Sequence, residues 1–394
     1  MKFILNLFLF LSLGLQAQDL IKKPIAILPG QTNDVVFAQF VPGKNKHLVT
    51  GTWDQKIMVY KADSPFQLVK TFAAHAAPIT CMSYTPTGSF IATGGKDFQV
   101  IIWDSMYNAY KIPEDPKNKH NANISALQFD RTGRFLFSGC EEGKIIIWDL
   151  LNKKTIKTIS NTVAISSFAT YTNTSSLFVA GAEPVIKLLN LSNGQVFKKL
   201  EGHKDHVNAI AISKNYKYLV SGSNDKTAII WDLKTFKPLK VLTVGCWKIT
   251  AVAFSDDSKY CITGCNDGSI KIWETETGNL VRSVEEQNFI INDLSFNANY
   301  KYFAAATTLK NESNYGTRIY NSGLVVQETK LSKTTEAIKT GTVKNSSKDS
   351  SEFMNKAKNT KAELDKLPKK VAGQLDSARI YKTPIPLKIN KINK

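Results

Sequence analysis

Five histidines and 33 aspartates and glutamates are the side chains of this chain that could move protons or hold a metal, and its five cysteines are the candidate nucleophiles. Their spacing assembles none of these chemistries. There is no Gly-rich phosphate loop, no His-Glu-x-x-His segment and no Gly-x-Ser-x-Gly turn. No pair of cysteines has the Cys-x-x-Cys spacing of a thiolate metal site. His47 and His206 stand apart from any second titratable cluster, the ordinary situation of a solvated histidine. The expectation is a non-catalytic chain with no cofactor and no bound metal.

What recurs instead is a strand-ending dipeptide. It stands at Trp103-Asp104, Trp148-Asp149, Trp231-Asp232 and Trp273-Glu274, with weaker versions at Tyr60-Lys61, Leu189-Asn190 and Tyr320-Asn321. The steps are 43, 45, 41, 42, 42 and 47 residues, the period of a four-stranded propeller blade and too long for most helical solenoids. Before most of these pairs comes a short turn segment: Gly51-Thr52-Trp53-Asp54, Gly94-Gly95-Lys96-Asp97, Gly222-Ser223-Asn224-Asp225 and Gly264-Cys265-Asn266-Asp267. It reads as hairpin chemistry, with Gly and Asx residues reversing the backbone. Two apolar strands precede each turn, as in 207–212 and 218–221, and an outer strand such as 238–242 follows each pair. The expected fold is all-β: a seven-bladed propeller of four-stranded antiparallel blades over residues 19–330.

These motifs resemble the WD-repeat β-propeller family over roughly residues 20 to 330. In that family a His, a Ser or Thr, an Asp and a Trp of one blade form a hydrogen-bonded chain. The resemblance places it at His75, Thr93, Asp97 and Trp103 in blade two, and at His203, Ser221, Asp225 and Trp231 in blade five. Blade three has Glu142 in place of Asp beside His120, Ser138 and Trp148, and blade six has Gly245 in place of His beside Thr263, Asp267 and Trp273. Blade one substitutes Gln31 and Tyr60, and blades four and seven depart further. Two segments compete for the outer position of blade seven, Pro24–Leu28 and Leu324–Glu328. Cys81 and Cys261 fall on core-facing positions, whereas Cys246 and Cys265 fall near one rim of blade six, where they could bridge.

The two ends of the chain differ from the repeats. Lys2 precedes an apolar run from Phe3 to Leu15 and then Gln16-Ala17, the pattern of a secretory signal over residues 1–18 and too short for a bilayer span. No cysteine marks a lipoprotein anchor, so the expectation is a periplasmic or secreted protein of a bacterial envelope, associated with the outer membrane through a partner if at all, with no transmembrane segment. From Lys330 to Lys394 there are 16 basic against 6 acidic residues, +10 of the whole chain's +18. Such a Lys-rich stretch, 331–394, is expected to be extended or disordered apart from a short helix at 352–367. It is expected to contact another protein or an anionic surface. Nucleic acid is not expected, because only 5 of the 51 basic residues are Arg.

In WD-repeat proteins the face carrying the loops into the innermost strands docks peptides or proteins. The resemblance implies that this face is lined, beside the turn aspartates, by Trp53, Gln55, Lys96, Phe98, Glu141, Asn224, Lys226 and Asn266. Near the starts of the innermost strands it is lined by Asn123, His206, Asn208, Lys248 and Asn292, together with Asp34 and Thr250. Two uses of Trp53 stand open, an interface anchor or sideways packing on the next blade. The function expected is a protein-interaction scaffold in an envelope assembly. The alternative is an exported propeller hydrolase or small-ligand binder using the central channel.

Overall fold

The computed structural model describes residues 19–324 except 22, 43–45, 112–118, 161–162, 172–174, 285–287 and 310–314. The chain divides into two units, 1–326 and 327–394, and every described residue belongs to the first. The signal-like segment and the Lys-rich tail therefore lie outside the described residues. Among the described residues no helix is long and apolar enough to cross a membrane.

Seven antiparallel sheets follow one another along the chain. Their innermost strands are Val35–Val41, Ile79–Tyr84, Ile124–Phe129, Ile165–Thr170, Val207–Ile212, Ile249–Phe254 and Phe289–Phe296. Blade five shows the plan, adding Tyr218–Ser223, Thr227–Asp232 and Lys237–Thr243 outward from Val207–Ile212. The second and third strands are buried on both faces, four consecutive positions in most blades, because each sheet is sandwiched between two neighbours. Apolar clusters accordingly fill the gaps between blades, as where Ala169, Phe178 and Leu188 meet Val207, Leu219 and Trp231.

The ring closes through the amino-terminal segment. Ala26–Ile27 pairs antiparallel with Arg318–Asn321, Ala26 facing Ile319 and Ile27 facing Arg318, and becomes the outer strand of blade seven. Of the two competing segments the first is used; residues 325–328 of the other lie outside the described residues, and Leu324 packs on the core between blades six and seven. The same amino-terminal stretch does a second job unforeseen from sequence. Asp19–Leu20 adds in parallel to the outer edge of blade six, opposite Arg282 and Ser283. One stretch of chain thus covers two sheet edges and removes their unpaired backbone groups.

The turn glycines are corrected by the structure. Gly94, Gly139, Gly222 and Gly264 sit inside second strands, where a Cβ would meet Ile124, Phe168, Ile249 and Ile291 of the following blade at 2.4–2.6 Å. Their role is close blade-to-blade approach. The reversal is made by the residue after the turn acid: Gln55, Phe98, Gly143, Lys226 and Gly268, with φ of 69°, 65°, 78°, 72° and 88°.

Candidate docking face

The hydrogen-bonded chains place the turns. In blade five His203 Nδ1 pairs with Asp225 at 2.8 Å and Nε2 with Ser221 at 2.7 Å, while Trp231 Nε1 donates to Ser221 at 2.8 Å. Blade two repeats this with His75, Asp97, Thr93 and Trp103 at 2.9 Å for each corresponding contact. Each chain ties the loop leading into the blade to its inner turn and fully satisfies a buried indole. In blade three His120 bonds Ser138 at 2.7 Å, but its Nδ1 is buried without a partner because Glu142 does not reach it. Burial, aided by the Lys144 charge, pushes the His120 pKa down to about 4. Blade one uses Gln31, which donates to Thr50 at 2.8 Å and to Thr317 of blade seven at 3.1 Å; the Tyr60 hydroxyl donates to Pro29 O at 2.7 Å. In blade six, which lacks the histidine, Cys246 of the leading loop is disulfide-bonded to Cys265 of the turn.

A second set of bonds fixes this face. The turn amide of each of six blades donates to the leading loop: Trp53 N to Asp34 O, Lys96 N to Pro78 O, Glu141 N to Asn123 O, Ala182 N to Ala164 O, Asn224 N to His206 O and Asn266 N to Lys248 O, all at 2.8–3.1 Å. Leading loops and inner turns therefore share one face, called here the upper face.

Around the channel mouth one residue near the start of every innermost strand bulges, the second in six blades and the fourth in blade seven: Val36, Thr80, Ser125, Ser166, Asn208, Thr250 and Asn292. Six of these reach the next blade. Thr80 donates to Ile124 O, Ser125 to Ile165 O at 2.5 Å, Asn208 to Ile249 O at 2.8 Å, Thr250 to Ile291 O, and Asn292 to Val35 O at 2.7 Å; Ser166 Oγ meets His206 Nε2 at 2.7 Å. Val36 has nothing to donate. At that break in the girdle lies a recess of about 340 Å³, lined by Asp34, Val36, Trp53, Thr80, Asn292 and Thr308.

The side chains expected to line the face divide into two groups. Asn208 and Asn292 spend their amides on the girdle, with Asn208 also donating to Asn224 Oδ1 at 2.9 Å and Asn292 to Thr308 at 2.8 Å. Asn123 and Glu141 bond each other at 2.8 Å. His206 is engaged by Ser166, and burial, with the Lys248 charge, lowers its pKa. Asn266 Oδ1 is buried without a partner, and Gln55 acts through its backbone, accepting from Ala74 N.

The other group points outward. Trp53 is 43% exposed, with Lys96 Nζ 4.3 Å from its ring centroid, and Phe98 is 41% exposed. Lys226 Nζ stands 4.6 Å over the ring of Trp247, which is 74% exposed. Sequence reasoning passed over Trp247. Its only mark there is an aromatic beside a cysteine in the one leading loop where glycine replaces the expected histidine.

Within the channel Asp293 accepts from Gln39 Nε2 at 2.5 Å and from Ala38 N at 3.1 Å, and burial raises its pKa to about 6. Among the described residues the one cluster with metal-ligand spacing is Cys246, Cys265 and Asp267, and its two sulfurs are bonded to each other.

A seven-bladed ring of four-stranded sheets bearing these hydrogen-bonded chains defines a WD-repeat type of propeller. The family profiles agree. Residues 45–215 match the Nucleolar protein 10-like N-terminal propeller domain, and residues 236–274 match the WD domain, G-beta repeat; together they support membership of the WD-repeat propeller family. Similar proteins include the Small ribosomal subunit protein RACK1y of Oryza sativa subsp. japonica, 42% identical over 60 residues, 15% of this chain and 18% of that one. The WD repeat-containing protein 89 homolog of Dictyostelium discoideum is 42% identical over 59 residues, 15% and 16% of the two chains. The Periodic tryptophan protein 2 homolog of Caenorhabditis elegans is 27% identical over 195 residues, 48% and 20%. The matched segments span a fifth or less of these relatives' own lengths.

These matches overturn the expected periplasmic or secreted location and its bacterial-envelope setting. The relatives are eukaryotic, and the names among them that carry a location, nucleolar and ribosomal, belong inside the cell.

Proposed function

We propose that this protein is a non-catalytic interaction scaffold that docks a protein partner on its upper face, with Trp53, Lys96 and Phe98 as the anchor beside the recess at blade one. The observation that carries this reading is a pair of large aromatics, Trp53 and Phe98, exposed on neighbouring inner turns that do not require them. Gly143 and Gly268 occupy the left-handed turn position in blades three and six at no steric cost, yet blade two holds a phenylalanine there at φ 65° and presents it to solvent. Trp53 is exposed on the neighbouring turn, and partly exposed aromatics with basic neighbours are the usual anchors of interfaces, since they bury large area at small entropy cost. The girdle and hydrogen-bonded chains supply a rigid support beneath them.

The tail from 331 to 394, with its excess of nine positive charges, is proposed as a second contact, to another protein or an anionic surface. Its composition supports this, since compact lysine charges without a packed core act through long-range attraction.

Affinity purification with quantitative mass spectrometry tests both parts. Trp53→Ala with Phe98→Ala should leave the thermal midpoint within a degree or so while depleting a defined partner about tenfold, the scale of hot-spot loss. A chain lacking 331–394 should lose a different component. Undiminished partner recovery by a folded double variant would overturn the docking reading.

A further inference from the structure

The rim between blades five and six carries three lysines without an ion pair, one of which, Lys226, stands over the ring of Trp247. Lys204 lies in the leading loop of blade five, Lys226 in its inner turn, and Lys248 in the leading loop of blade six; among the described residues none of the three has an ion pair. The nearby carboxylates are hydrogen-bonded within their own loops and turns and none of them forms an ion pair with these lysines. Asp225 accepts from His203, from Lys204 N at 2.9 Å and from Thr227 Oγ1 at 2.6 Å. Asp205 accepts from His206 N at 2.6 Å, and Asp267 from Ser269 Oγ at 2.6 Å.

Among these lysines stands Trp247, the most exposed large apolar side chain of the described residues. It is held on a fixed loop. Val244 O accepts from Lys271 Nζ at 2.7 Å, Cys246 is bonded to Cys265, and Lys248 O accepts from Asn266 N at 3.0 Å. The disulfide thus takes over the tie between loop and turn that a histidine makes in blades two and five. A preorganised indole loses little entropy on contact, which is what an anchor requires.

We propose that this rim is a binding site for an acidic peptide segment, its carboxylates taken by Lys204, Lys226 and Lys248 and an apolar side chain laid on Trp247. The proposal rests on the reading of the upper face as the docking surface and names the chemistry of one occupant. Charge complementarity selects an anion. Peptide carboxylates fit better than a phosphate chain for two reasons: a single indole offers no run of stacking platforms, and among the described residues no arginine stands in the loops and turns of this rim.

The test is fluorescence anisotropy with the full chain and three labelled probes of equal length: a glutamate- and leucine-rich peptide, its glutamine counterpart, and oligouridylate. Binding to the acidic peptide should exceed that to the glutamine peptide and weaken with added salt. Trp247→Ala should weaken it about tenfold, Trp247→Phe should restore most of it, and Lys226→Gln with Lys248→Gln should reduce both affinity and salt dependence. Because every variant keeps the basic tail, the difference between variants reports the rim alone. Equal acidic-peptide affinity in wild type and Trp247→Ala, or a loss confined to oligouridylate, overturns the assignment. Trp53→Ala with Phe98→Ala should leave the acidic peptide bound, so the two readings fail separately.

Discussion

His120 shows what one missing contact does. Its ring is buried and bonded to Ser138 on one side only, so the native state holds it neutral, with its pKa lowered to about 4. In the unfolded chain the same group titrates near 6.5. The sign follows: with the folded pKa below the unfolded one, protons bind the unfolded state preferentially, and stability falls as pH drops from about 6.5 towards 4. Glu142→Asp places a carboxylate where Asp97 and Asp225 stand in the complete blades. It should raise the His120 pKa, add about 1 kcal/mol at neutral pH, and shrink the loss of stability on acidification. Chemical denaturation at pH 7 and pH 5, with an NMR titration of His120, checks this; an unchanged pKa would mean the new carboxylate does not reach. These chains were legible in sequence because they depend on residue type at fixed spacing. Trp247 was not: the Cys246–Cys265 bridge was open to sequence reasoning, but nothing in residue type or spacing says that the aromatic beside Cys246 faces solvent.

At the scale of elements, the repeat predicted the four strands of each blade, including the two least regular ones. Blade four forms from Ile165–Thr170 to Val196–Glu201 despite its shortened turn, where Lys187 pairs with Glu183 at 2.7 Å. Two features were not legible. A two-residue strand such as Asp19–Leu20 has no periodicity to read, and its parallel addition is decided by the edge it covers. The bulge at Val36, which opens the recess, depends on strand register, and period alone does not fix register. The amino-terminal strands carry a prediction of their own. Removing residues 1–27 should lower the thermal midpoint and produce concentration-dependent association, because Arg318–Asn321 and Leu280–Val284 become open edges. Light scattering over a dilution series reads the second effect, and a monomer of unchanged stability would show that closure is dispensable.

At the largest scale, the described residues form a ring whose two faces differ in kind. On the upper face, inter-blade bonds at six of seven bulges and loop-to-turn ties hold Trp53, Phe98 and Trp247 in place. The opposite face carries the remaining turns, with exposed Met106 and Leu151 as its large apolar residues in blades two and three. The central claim is that partners dock on the upper face, and a face-against-face comparison tests it most directly. Once a partner is captured, its Kd is measured for Trp53→Ala with Phe98→Ala and, separately, for Met106→Ala with Leu151→Ala. The upper-face pair should weaken binding about tenfold or more and the opposite pair less than about twofold. Equal losses, or the reverse order, would contradict the account.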